Sequence, residues 1–484
     1  MEARFCDWCG NGRIGFLGYM SCPTCGSQIE ILAAYCNTCG TNMQMTTQRR
    51  SHAGSQEPPI FDPTKIVAVL FGLCAFTVFY YVPSWLDPVL TRLAEQLRFN
   101  LGSSHPLAPT LRAVITISWW LFLLMYVIVN VYQVSWAGMG YLLRKRLWQN
   151  NNPRGEEFKP TVAILIPAYN EEKHIARTLE SCINQTYRNL TRIIVVDDGS
   201  TDRTASIVKE FASRDRRILC ESRHVNGGKP TALNTGFSLP DTDLVLFMDG
   251  DSYLDTHAIE RLVPQFRDAR VGSAASLIAI HNNKTLLAKC QEIEYFFTQL
   301  VTRFCQSLEK TVLICPGAGT MVRTNIAKVI HHSPRTITED ADFTFEIHRR
   351  WRISQEPDAV SYTDAMIDWK SITNQRLRWL YGVLQTITLH SWSMRKLWVV
   401  WAWVGYLMSA VTFAILALLP VMTYIFGYGF LVFFAGYGVV AGLMVWAVHA
   451  APLLWHPQPS KKLIALVPIY LAYQQYLNLS LIHI

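Results

Sequence analysis

Val162-Ala-Ile-Leu-Ile-Pro-Ala-Tyr-Asn-Glu171 reads as a wholly apolar β-strand that opens into a polar turn. The apolar run is too short for an ordinary helix, and its β-branched residues favour a pleated chain. The same pattern recurs downstream. Arg192-Ile-Ile-Val-Val196, Arg217-Ile-Leu-Cys220 and Asp243-Leu-Val-Leu-Phe-Met248 are three more apolar runs, with helical patterns between them near 172–184, 201–213 and 231–236. Apolar strands alternating with helices predict an α/β fold on a parallel, doubly wound sheet. Ligands of such sheets bind beyond the carboxyl ends of the strands.

The notable polar residues fall at those ends. The first strand leads into Tyr169-Asn-Glu171, the second into Asp197-Asp198-Gly-Ser200, and the fourth into Asp249-Gly-Asp251. Carboxylates gathered on one rim repel each other unless a cation or donor sits among them. Asp249 and Asp251 lie two apart, so in an extended segment both point the same way, which suits Mg²⁺ or Mn²⁺ shared with diphosphate oxygens. Asn226-Gly-Gly-Lys229-Pro230 reads as a phosphate-facing turn in which Lys229 supplies a point charge, or else as an ordinary surface turn. No Gly-x-x-x-x-Gly-Lys-Ser/Thr loop is present, so an ATPase reading has no support.

Further outward the composition changes. Of 484 residues, 50% are hydrophobic and 17% charged, a balance that predicts membrane content. The apolar stretches 66–86 and 113–134 each approach the length of a bilayer span, and 397–419, 430–448 and 463–479 suggest about three more within 397–484. Arg144-Lys-Arg146 and Lys461-Lys462 would then lie in the cytoplasm. The expected organisation is a zinc module over 1–45, a polar linker over 46–65, two spans within 66–143, a cytoplasmic α/β domain over 160–390, and the final spans. The expected location is a multi-pass plasma or inner membrane protein with the bilayer as a partner. At the amino end, Cys22-Pro-Thr-Cys25 and Cys36-Asn-Thr-Cys39 have the spacing of one tetrahedral Zn²⁺ site, while Cys6 and Cys9 form a third pair without an evident partner pair. The net charge of +8 does not choose among nucleic acid, anionic lipid and nucleotide. The few basic residues before Met45 argue against nucleic acid at the zinc end, which instead suggests docking of a protein partner or a second copy.

The ordered set Pro167-x-Tyr-Asn-Glu171, Val196-Asp-Asp-Gly-Ser-Thr-Asp202, Gly227-Gly-Lys229, Asp249-Gly-Asp251, Thr338-Glu-Asp340 and Gln375-Arg-Leu-Arg378-Trp379 resembles the family 2 glycosyltransferases. It is similar to their processive branch, the poly-N-acetylglucosamine, chitin, hyaluronan and cellulose synthases. The resemblance covers about 160–390 and implies a GT-A-type, Rossmann-like domain between transmembrane helices. It implies a membrane-bound inverting enzyme that moves a sugar from a UDP-sugar to a growing β-linked polysaccharide, with coupled export as an extension. UDP-N-acetylglucosamine is favoured over UDP-glucose. Asp340 is implied as general base, and Asp249 and Asp251 as holders of the metal and diphosphate. Tyr169, Glu171, Asp197, Asp198, Lys229 and Arg378 are implied as donor contacts, and Glu339, Gln375, Trp379 and Cys315 as acceptor contacts. Gln375, Arg378 and Trp379 share one face if 371–389 is helical, which also suits an amphipathic helix over 371–390 at an interface. The segment with Cys290, Gln291, Glu294 and Tyr295 resembles the family loosely, and it would touch the sugars. Two rival readings are a non-processive transferase acting on a lipid-linked acceptor and a zinc-ribbon adaptor with an inactive transferase-like domain.

Overall fold

The computed structural model describes residues 19–21, 28–30, 133–144, 158–308, 311–395, 442–443 and 445–482. β1 (Tyr19–Ser21) and β2 (Gln28–Glu30) pair antiparallel. Cys6, Cys9, Cys22, Cys25, Cys36 and Cys39 lie outside the described residues, and so does the expected linker.

β3 (Val162–Ala168) is buried at every position, and it sits between β4 (Leu190–Asp197) and β6 (Leu244–Phe247), parallel to both. β5 (Ile218–Ser222) extends the parallel set beyond β4. The crossovers are α1 (Ile175–Ile183), α2 (Thr204–Arg214) and α3 (Lys229–Ser238). Two apolar layers result, one on each face. Ile164, Ile166 and Val195 pack with Ile175, Leu179 and Val208, whereas Leu165, Ile194 and Val196 pack with Leu233, Phe237 and Phe343.

The sheet does not remain parallel. Its order is β5-β4-β3-β6-β9-β8-β10-β7, with β7 (Tyr253–Leu254), β8 (Val271–Ile280), β9 (Thr320–Arg323) and β10 (Arg352–Thr363). β9 runs antiparallel to β6 and β8, while β8 and β10 are parallel to each other, so the doubly wound pattern holds only for the first half. Since β9 reverses direction twice over, β8 and β10 end on the same rim as β3, β4 and β6. Around that rim stand α4 (Leu286–Phe297), α5 (Glu339–His348) and α6 (Trp369–Leu389).

The flanking membrane helices expected from composition require correction. Among the described residues no helix is long and apolar enough to cross a membrane. The stretch 463–479 is split into a 3-10 turn, Lys461–Leu466, and α7 (Val467–Ile482), a helix of 16 residues. Val467, Tyr470, Tyr473 and Leu477 of α7 are buried against Leu277, Cys290, Ile293 and Phe296 of the α/β domain, so its apolar side faces protein. The stretches 66–86 and 397–419 lie outside the described residues, as do nearly all of 113–134 and most of 430–448. Among the described residues, therefore, nothing supports the expected membrane-bound architecture, lipid bilayer partner or multi-pass membrane location.

Candidate active site

A cleft of about 830 Å³ opens on the rim where the strands end. Lys229, Asp249, Asp251, Glu339, Asp340, Gln375, Arg378 and Trp379 all line it. These eight side chains come from four separate stretches of chain, and the topology brings them to one place.

The first group is charged. Lys229 opens α3, and its Nζ lies 2.6 Å from Asp249 Oδ1 and 3.0 Å from Glu339 Oε1. Burial disfavours its charge, but Asp249, Glu339 and Asp340 together hold the ammonium above its ordinary value. A Cβ on Gly317 would lie 2.7 Å from Lys229 Nζ and 3.3 Å from Asp249 Oδ1, so a side chain there would displace the lysine end of this ion pair. Burial, with Asp249 adding repulsion, raises the Asp251 carboxyl above its usual range. Glu171 is pushed up to about 7 by burial and then by Asp251, Asp249 and Asp202. Carboxyls that press on one another in this way are short of positive charge, which fits a divalent cation beside Asp249 and Asp251.

The second group surrounds Asp340 in the first turn of α5. Burial and the neighbouring Glu339 raise its carboxyl to about 6, while Lys229 pulls the other way. The preceding turn is fixed to α6, where Gln385 Oε1 accepts from the Ile337 N–H at 3.0 Å. Gly382 of α6 approaches so closely that a Cβ there would lie 2.3 Å from Thr338 Oγ1. On the far side of α5, Asp342 accepts both forks of Arg335 at 2.8 Å and the Nε2–H of His390 at 2.7 Å. Burial opposes the charge of Asp342, yet His390 and Arg335 hold its pKa below the ordinary value. Asp342, Glu346 and His390 have carboxylate and imidazole atoms close enough to share a metal. Arg335 already occupies this group, because it also reaches Glu346 at 2.8 Å, so the cluster works as an anchor for α5.

Gln375, Arg378 and Trp379 lie along one face of α6. Arg378 is exposed to the cleft, and Trp379 is backed by the Arg376 guanidinium 4.3 Å from its ring centroid. Arg376 pairs with Glu294 at 2.9 Å, and Tyr473 of α7 donates to the same carboxylate at 2.9 Å.

Tyr169, Glu171, Asp197, Asp198 and Cys315 are not on the cleft wall. Tyr169 is 47% exposed, so its ring face is available to a ligand. Asn170, at φ 57°, accepts from the Thr201 N–H at 2.9 Å and ties the Tyr169 turn to the loop after β4. Asp197 is buried and caps the Ser200 N–H at 3.2 Å. Asp198 is also buried, pairs with Arg223 and accepts from the Gly227 N–H at 3.2 Å. Cys315 is buried in the core, with its thiol raised to about 11 by burial. The wall is formed instead by the residues after it, Pro316, Gly317 and Ala318.

Other lining residues escaped the sequence reading. Asp364 follows β10, and Arg303 ends a π-helical turn, Thr298–Arg303, after α4. The only signal for Arg303 was a single charge in an otherwise uncharged run from Tyr295 to Leu308.

Residues 163–330 match the sequence profile described as Glycosyl transferase family 2. The chain is 29% identical over 231 residues to a probable glycosyltransferase, YdaM, of Bacillus subtilis, covering 46% of this chain and 55% of that one. It is 30% identical over 242 residues to hyaluronan synthase of Streptococcus pyogenes, covering 47% and 58%. It is also 27% identical over 238 residues to poly-beta-1,6-N-acetyl-D-glucosamine synthase of Staphylococcus epidermidis, covering 49% and 57%. The matches thus span little more than half the length of these relatives. Among solved structures, a mannosyltransferase from Pyrobaculum calidifontis in complex with GDP-Man and Mn²⁺ is similar at 17% identity and a TM-score of 0.45, covering 72% of this chain and 97% of that one. The chain carries a family 2 glycosyltransferase domain related to the processive polysaccharide synthases.

Proposed function

We propose that, through its family 2 glycosyltransferase domain, the protein transfers a sugar from a UDP-sugar to the end of a β-linked glycan, with inversion at the anomeric carbon. UDP-N-acetylglucosamine is the favoured donor and UDP-glucose the next. The observation that carries this reading is the convergence of Asp340, raised to about 6, with Lys229, Asp249 and Asp251 on one cleft.

Asp340 acts as general base. With its pKa near 6 it is ionised at neutral pH, yet basic enough to take a proton from an acceptor hydroxyl. The freed oxygen attacks the anomeric carbon from the face opposite the diphosphate, and the bond to the diphosphate breaks. Lys229 and Arg378 hold the charge that develops on the leaving group. A Mg²⁺ or Mn²⁺ ion held by Asp249 and Asp251 would supply further neutralisation of the diphosphate. Trp379 offers an aromatic face to the acceptor sugar, with Gln375 and Glu339 beside it. Asp197, Asp198 and Tyr169 serve the nucleoside end, where Asp198 also holds the Gly227-Gly228-Lys229 turn in place. Glu171, next to Asp251, completes the donor contacts. The paired cysteines Cys22, Cys25, Cys36 and Cys39, by their spacing alone, support a separate structural Zn²⁺ module with no part in the chemistry.

The test is incubation of the full chain with a panel of labelled UDP-sugars plus Mg²⁺ or Mn²⁺, following UDP release and product length on a gel. Polymer formation from one donor, lost in Asp340→Asn, is expected. Unchanged product from Asp340→Asn, or no turnover with any donor, would sink the reading.

A further inference from the structure

Four cations line the cleft, and their partners differ. Lys229 is engaged by Asp249 and Glu339, and Arg376 by Glu294. Arg378 is exposed on the face of α6 already given to the diphosphate. Arg303 is the exception. Among the described residues its one bonded partner is neutral, Gln299 Oε1 at 3.1 Å. Burial therefore pulls the guanidinium below its ordinary pKa, with Cys315, Asp340 and Tyr295 close enough to act in the other direction.

The backbone explains why Arg303 stands there. The π-helical turn Thr298–Arg303 follows directly on α4, and π-turns of this kind recur at functional sites because they redirect a side chain. The turn is pinned by Gln299, which is buried and binds both backbone groups of Ile278 on β8, donating to the carbonyl at 2.9 Å and accepting from the N–H at 2.7 Å. The same Gln299 oxygen receives one Arg303 donor. Among the described residues the remaining N–H groups of the fork have no hydrogen-bond partner, and Arg303 belongs to a cleft wall shared with Tyr295 and Asp340. A fork of parallel donors matches planar oxygen groups, a carboxylate or an acyl carbonyl, better than it matches a ring hydroxyl.

We propose that Arg303 is a specificity-determining acceptor contact, which grips a pendant carbonyl or carboxylate oxygen on the terminal acceptor sugar and so sets its reacting hydroxyl beside Asp340. This rests on the transferase reading above and adds the acceptor's chemical class to it. Acceptors without such a substituent leave the guanidinium unpaired.

The experiment primes the full chain with three oligosaccharides, an N-acetylglucosamine oligomer, a glucuronate-containing oligomer and a glucose oligomer, at saturating donor. The wild type is expected to prefer one of the first two over the glucose oligomer by about tenfold, the scale of one charge-assisted hydrogen bond. Whichever is preferred identifies the group as acyl or carboxylate. Arg303→Met should raise KM for that primer by about the same factor and level the three, with KM for the donor little moved. Arg303→Lys, which keeps the charge and the fold but loses the fork, should fall between them. Equal use of the three primers by an active wild type would overturn the proposal, as would a preference that survives in Arg303→Met. No UDP release by the wild type from any donor would instead defeat the transferase reading itself.

Discussion

The two sets of carboxylates on the rim invite comparison: Asp197 and Asp198 stand at the end of β4 much as Asp251 follows β6, and Asp340 joins Asp251 from the first turn of α5. Asp197 and Asp198, after β4, are buried, and their oxygens are taken up by Ser200, Arg223 and Gly227. Asp251 and Asp340 face the cleft, and burial together with acidic neighbours raises both carboxyls. The first set spends its hydrogen-bonding capacity on holding loops. The second keeps capacity open for a ligand, a cation or a proton. Position at a strand end locates a carboxylate on the rim, but its remaining partners decide what it can do.

The sharpest way to break this contrast is Asp340→Asn. Loss of a general base should lower the transfer rate by about a thousandfold, measured as UDP release at saturating donor. Asp251→Asn comes next. About a hundredfold loss, with a weakened response to Mn²⁺ titration, would place Asp251 with the ligand-facing set, whereas an unchanged metal response would move it to the structural one.

The pH profile gives the third test. Asp340 must be ionised to accept a proton, so turnover should climb through about 6 and level off above it. Lys229 pulls that pKa down, so Lys229→Met should move the rising limb to higher pH, in addition to slowing transfer. Stability should run the opposite way. The folded state binds the Asp340 proton more tightly than an unfolded chain with the ordinary value of 3.8, so this group destabilises progressively as pH rises from 3.8 to about 6. Asp340→Asn should therefore melt higher than the wild type above that window and alike below it. The smallest effect is expected from Asp198→Asn, which weakens the pairs to Arg223 and the Gly227 turn. A several-fold rise in donor KM with kcat nearly kept would place Asp198 at the donor's binding end, apart from the groups that act in the transfer step.

Legibility in the sequence followed the same division. β3, β4 and β6 were readable because apolar packing covers all or most of each strand and leaves a hydrophobic run, whereas β5, the sheet edge with only Ile218 buried, was readable from the short apolar start Ile218-Leu-Cys220 alone. β10 was not. Its buried positions include Ser354, Gln355, Glu356 and Ser361, and the partners of the last two come from distant segments, Gln265 and Arg144 for Glu356 and Ser276 for Ser361. A strand that buries polar side chains against polar partners carries no hydrophobic period. α6 was legible because Gln375, Arg378 and Trp379 repeat at helical spacing. The stretch at 463–479 misled because an apolar run of that length reads alike whether its cover is lipid or protein. Arg303 was invisible as a cleft residue, since the π-helical turn that aims it breaks the periodicity on which a facing is assigned.

The contact between Gly382 and Thr338 has a chemical consequence of its own. The backbone of Gly382, on the helix that carries Trp379, rests directly on the Thr338 side chain, two residues before Asp340. If the acceptor sugar stacks on Trp379 as proposed, a methyl group at residue 382 would press the helix off Thr338 and change how that sugar sits beside Asp340, which a shift in product linkage or a slower transfer would reveal.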